Sequence, residues 1–138
     1  HLLDANGRHV ESIVGEASVF DAIKRMADKS IGSLVILDDD GGLAGIVTER
    51  EYARKVIIKG RSSRDTTVAD IMTTSVVVAA SDHTVNACME VMSDRRVRHL
   101  PVVEDGKVIG LLSIGDLVQA IIADQQEEIE QLEHYISS

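Results

Sequence analysis

The chain has 138 residues, 44% of them apolar but only 2% aromatic, with no tryptophan and a formal net charge of −9. A chain of this size suits one compact domain or two small halves sharing a core, and that core must be aliphatic. The acidic balance and the scarcity of aromatic platforms argue against nucleic acid as a partner. No apolar run approaches the roughly 18 residues of a membrane span, and the single cysteine, Cys88, rules out an internal disulfide and fits a reducing compartment.

Taken in chain order, an extended stretch is expected over residues 10–14. A helix follows, with Ser18 in the N-cap position and Val19, Ala22, Ile23 and Met26 on one face. A β-hairpin then turns at residues 38–42, and a second helix begins near Thr48. Residues 59–67 are polar and contain glycine and serine, the composition of a linker. The series then repeats. Residues 76–80 are extended, and Thr84 caps a helix whose Val85, Cys88, Met89 and Met92 match Val19, Ala22, Ile23 and Met26. Asp105-Gly106 joins residues 100–104 to 108–112 as a two-residue hairpin. Pro101 lies near the start of its strand, where a missing N–H is tolerable. A last helix begins near Ser113.

The order β-α-β-β-α, twice, predicts an α+β fold of two repeats packed under pseudo-two-fold symmetry. The first repeat covers residues 1–58, the linker 59–67, and the second repeat with an extended C-terminal helix 68–138. A half of roughly 60 residues is marginal alone, so the halves should pack together and leave related clefts along their junction. The last helix carries Val118, Ile122, Gln125, Ile129, Leu132 and Ile136 at alternating spacings of four and three. This seam either packs on its own domain or serves self-association. Cations crowd at Arg54, Lys55, Lys59, Arg61 and Arg64 and again at Arg95, Arg96 and Arg98. A locally basic cleft in an acidic protein suits a small anion better than a polymer.

Four segments, Gly45-Ile46-Val47-Thr48-Glu49-Arg50-Glu51, Asp70-Ile71-Met72-Thr73, Val97-Arg98-His99-Leu100-Pro101-Val102-Val103 and Gly110-Leu111-Leu112-Ser113-Ile114-Gly115-Asp116-Leu117, resemble a tandem pair of CBS domains. The chain is similar to small stand-alone bacterial proteins made of little else. The resemblance implies a regulatory, non-catalytic module of the cytoplasm, a homodimer, with an adenine nucleotide as ligand: AMP foremost, with ADP, ATP, NAD(H) or S-adenosylmethionine as alternatives. The competing implication is an oligomerisation scaffold with vestigial clefts.

In the family's Ser/Thr-x-x-Asp motif the carboxylate accepts hydrogen bonds from the ribose diol, which assigns that role to Asp116. Ser113 then offers a hydroxyl and a helix N-terminus to phosphate, and Gly115 leaves room beside the ligand. The same Ser-x-x-Asp also reads as helix capping. Arg98 and His99 are expected at the phosphate. Val76, Val78, Leu100 and Ile114 are expected to form the apolar slot for the base, with Pro101 beside Leu100. The first repeat departs from this pattern: Gly32-Ser33 stands in place of Arg98-His99, Glu51 in place of Asp116, and Thr48 to Glu51 reads as a capping box. That cleft should be weaker, with Arg50, Arg61 and Arg64 as its candidate phosphate contacts. His1, His9, His83 and His134 show no metal-ligand spacing. No nucleophile-elbow glycines surround Ser113, which argues against a Ser113-His99-Asp116 triad.

Overall fold

The structure, a computed structural model, describes residues 10–137. Its local geometry follows from caps placed at equivalent points of the two halves. Helix α1 (Val19–Lys29) starts where the Ser18 hydroxyl accepts from the Asp21 N–H, and α4 (Val85–Arg95) where Thr84 accepts from Ala87. Both end on a residue in the left-handed conformation, Ser30 and Arg96, each at φ 55°. Antiparallel hairpins follow: β2 (Ser33–Leu37) with β3 (Leu43–Thr48), and β5 (His99–Glu104) with β6 (Lys107–Ser113). The second turns at Asp105 and Gly106, both with positive φ, as a type I′ connection requires. Short strands β1 (Ser12–Ile13) and β4 (Ala79–Ala80) add parallel to β2 and β5. Each half thus holds a three-stranded sheet, ordered β1-β2-β3 and β4-β5-β6.

β1 and β4 are shorter than their extended sequence stretches. Val76, Val77 and Val78 lie ahead of β4, so β4 meets β5 only at Val102 and Val103. Pro101 therefore precedes the stretch where its missing N–H would be needed by β4.

Two aliphatic cores result. Val19, Ala22 and Met26 of α1 pack with Leu34, Ile36 and Val47; Cys88 and Met92 of α4 pack with Leu100, Val102 and Leu112. Cys88 is a buried thiol whose pKa is pushed up by burial. Ser33 and Val35, on the other face of β2, are buried too, so this sheet is covered on both sides.

Residues between the repeats are closely packed. The carbonyls of Thr66 and Ser63 accept from the N–H groups of Val19 and Phe20. Arg64 lies over the Phe20 ring, 3.9 Å from its centroid, and Arg61 is 3.9 Å from Asp70. Helix α3 (Val68–Ile71) drops Val68 and Ile71 into the first core, and the Lys55 amine donates to the Ile71 carbonyl at 2.9 Å. Helix α2 (Glu49–Tyr52) runs on into a π-helical turn, Ala53–Ile57, that buries Val56 and leaves Ile57 and Ile58 in solvent.

Beyond α3 the chain joins the first sheet. Ile46 and Thr73 exchange both backbone hydrogen bonds, at 3.0 and 2.9 Å. Gly45 makes this approach possible: a Cβ there would lie 2.7 Å from the Met72 sulfur and 2.9 Å from the Thr73 carbonyl oxygen. Helix α5 (Ile114–Ser137) buries only Leu117 and then projects with its seam exposed, so packing of that seam on its own domain is not what the structure adopts.

Gly45→Ala is expected to destabilise the protein by about 1–3 kcal/mol, because the obstructing atom is backbone. Thermal unfolding followed by circular dichroism checks this; an unchanged midpoint would mean that Thr73 does not lie where the structure puts it.

Candidate functional site

The hydrogen bonds of Thr73 set the wall of a cleft between the two halves. Anchored to Ile46 by its backbone, Thr73 also donates its hydroxyl to Glu51 Oε1 at 2.8 Å. Glu51 Oε2 accepts the Thr48 N–H at 3.0 Å and the Thr48 hydroxyl. Both oxygens of this buried carboxylate are therefore engaged by the protein, in a capping box and in holding the chain that enters the second half. From Thr73 the chain continues as Ser75, Val76 and Val77, which face Ile46, Thr48 and Arg50 of the first half and Arg98 and His99 of the second across a cleft of about 500 Å³. That volume lies within the roughly 300–1,000 Å³ typical of small-ligand sites. Arg50 spans the junction, donating from Nη1 to the Arg96 carbonyl at 3.3 Å.

A second, smaller cleft of about 340 Å³ is lined by Glu11, Gly32, Ser33, His99, Ser113 and Asp116, among others. Here Ser113 N–H donates to Asp116 Oδ2 at 2.9 Å and Asp116 N–H to the Ser113 hydroxyl at 3.1 Å. This is the reciprocal capping that Ser-x-x-Asp allows. It occupies one carboxylate oxygen, and no hydrogen bond to Oδ1 occurs among the described residues.

His99 lies between the two clefts. Strand pairing sets it opposite Ser113, and a Cβ at Gly32 would sit 3.8 Å from its ring, so Gly32 and His99 form a wall common to both cavities. Burial holds the imidazole below the usual histidine range; the carboxylates of Asp116, Glu49 and Glu51 oppose that shift and Arg98 adds to it.

A family model for the CBS domain matches the chain twice, over residues 6–57 and 68–123. The chain belongs to the CBS-domain family. It is 42% identical over 123 residues to the mitochondrial CBS domain-containing protein CBSX3 of Arabidopsis thaliana, covering 86% of this chain and 60% of that protein. A solved Burkholderia ambifaria protein with CBS domains is 49% identical, with a TM-score of 0.84 over 90% of this chain and 93% of the other. The CBS domain pair of protein MJ0100, solved in complex with 5′-methylthioadenosine and S-adenosyl-L-methionine, is 26% identical, with a TM-score of 0.80 over 89% and 96% of the two chains.

In this CBS pair the candidate residues do not share one pocket. Val76, Arg98, Thr48, Arg50 and Glu51 line the first cleft; Ser113 and Asp116 line the second; His99 lines both. Leu100 is fully buried in the second core, because strand alternation turns it with Val102 toward α4 and away from His99. Pro101 is buried. Val78, Ile114 and Gly115 line neither cleft, and neither do Arg61 and Arg64, which are spent on Asp70 and Phe20. Arg98 and Asp116 thus line neighbouring cavities that share Gly32 and His99. Thr73, Ser75 and Val77 escape sequence reasoning, since their position depends on pairing with a strand of the other repeat. Among the described residues no group of three metal-ligating side chains comes together, and no helix is long and apolar enough to cross a membrane.

The His99 shift predicts a pH dependence. Between about pH 6.5 and the lowered folded value the unfolded chain binds a proton that the native imidazole refuses, so stability falls as pH drops through that window. His99→Gln should flatten this component, measured by urea unfolding at a series of pH values from neutral downward; an identical slope in the variant would contradict the assignment.

Proposed function

We propose that this CBS pair is a regulatory, non-catalytic module that binds an adenine nucleotide, AMP foremost, in its first cleft and reports the bound state to a protein partner. The observation that carries the reading is a single cavity presenting Arg98 and His99 of one half, Arg50 of the other, and an apolar strip at Val76 and Val77. Arginine forks suit phosphate, and the backbone and side chains of residues 75–77 offer hydrogen bonds and a slot for a purine. ADP, ATP and NAD(H) carry the same adenosine and an anionic tail. S-adenosylmethionine, without a phosphate, gains less from the two arginines. In the second cleft Asp116 Oδ1 would accept from a ribose diol, which makes that cleft a second adenosine subsite. The functional unit is a homodimer, and the lone buried thiol suits a reducing compartment such as the cytoplasm.

Because the first cleft takes residues from both halves, a ligand there favours one relative orientation of them, and a partner able to tell the orientations apart must in turn alter ligand affinity. The scaffold reading draws support from Glu51, whose two oxygens are already committed to the protein. On that reading no adenylate would raise the melting temperature, whereas a ligand binding only the native state must do so.

Calorimetric titration with AMP tests the nucleotide reading. Hydrogen bonds to charged groups are each worth about 1.5–3 kcal/mol, so Arg98→Ala should weaken binding roughly 10- to 100-fold. Asp116→Ala should spare the first cleft and remove any second binding event. An unaltered titration for Arg98→Ala would overturn the site.

A further inference from the structure

The two clefts present different charge. Arg50 and Arg98 line the first from opposite halves. Among the described residues neither lysine nor arginine lines the second. Its ionisable groups are two carboxylates, Glu11 and Asp116, and the imidazole of His99. Lys29 lies 4.0 Å from Glu11 but outside the lining, and offsets that one carboxylate in part. Burial holds His99 below the usual histidine range, so near neutral pH it adds no cation.

The start of α5 does not make up for the missing cations. A helix N-terminus receives phosphate through unsatisfied N–H groups. Here the Ser113 N–H is taken by Asp116 Oδ2, the Ile114 N–H by the Arg98 carbonyl and the Asp116 N–H by the Ser113 hydroxyl. The second cleft offers acceptor capacity instead. Asp116 Oδ1, which has no hydrogen bond among the described residues, suits the hydroxyls of a ribose and repels a phosphate. Size points the same way, since about 340 Å³ against about 500 Å³ fits the shorter ligand.

We infer that the second cleft takes an adenosine whose 5′ substituent is neutral or cationic, and turns away the 5′-phosphorylated nucleotides that suit the first. This rests on the reading of that cleft as an adenosine subsite and specifies its ligand. A phosphate there would face Asp116 and Glu11 with no arginine to receive it, whereas a nucleoside keeps the diol contact and brings no like charge. Because Gly32 and His99 wall both clefts, the module holds a phosphorylated and an unphosphorylated adenosine side by side.

Backbone amide NMR of the full chain, titrated separately with adenosine and with AMP, decides the matter. Adenosine should shift the amides of Ser113, Ile114 and Asp116 along a saturating curve. AMP should need at least about tenfold more ligand to move the same amides, as expected when like charges are brought together. Asp116→Asn keeps an acceptor for the Ser113 N–H but loses the charge; it should weaken adenosine binding about tenfold and leave the AMP response of Ser75 to Val77 unchanged. The dispersion of the variant's own spectrum reports its folding, and the comparison of the two ligands on the wild type needs no variant. If neither ligand moved any amide, the adenine-ligand reading itself would fail. AMP filling the second cleft as readily as adenosine, or adenosine leaving Ser113 to Asp116 unmoved while AMP binds the first cleft, would overturn the charge selection alone.

Discussion

The pair of backbone hydrogen bonds between Ile46 and Thr73 is the constraint on which the rest of this protein turns. It carries the chain leaving the first repeat onto the first sheet, where Gly45 admits it and the Glu51 carboxylate grips the Thr73 hydroxyl. With Thr73 so fixed, Ser75 to Val77 must cross in front of Thr48 and Arg50 before the second sheet begins. The cleft therefore arises from the connection between the repeats and has no existence within either one. Glu51, which a repeat-by-repeat comparison sets level with Asp116, here serves that connection.

This construction has a functional consequence. A ligand that touches Arg50, Val76 and Arg98 together bears on the arrangement of the two halves, while one held within a single repeat would not. His99 extends the idea to the second cleft. Its ring abuts Gly32, faces Ser113 across the strand pair and is flanked by carboxylates from both cavities. Anything that reorients or protonates it in one cavity changes the wall of the other.

Much of the fold was legible in the residues. Ser18 and Thr84 mark helix starts, Asp105-Gly106 marks a hairpin, and the matching apolar positions of α1 and α4 reveal the repeat; each is a local signal with a local cause. The site was legible only in part. His99, Arg98 and Val76 do line a cavity, but Arg98 and Asp116 fall in different ones, and Leu100 belongs to the core. Those outcomes depend on which strand face meets which half, information that a period-two pattern leaves open when a sheet is covered on both sides. The π-helical turn, the packing of Thr66 on α1 and the rung at Thr73 are tertiary choices with no composition signal of their own.

The central claim is that an adenine nucleotide sits in a cavity built from both repeats. Backbone amide NMR of the isotope-labelled protein titrated with AMP tests it most directly. The account predicts that the amides of Ser75, Val76, Val77 and Arg98 shift together with that of Arg50, along one saturating curve. Shifts confined to one repeat, or none at saturating nucleotide, would contradict it.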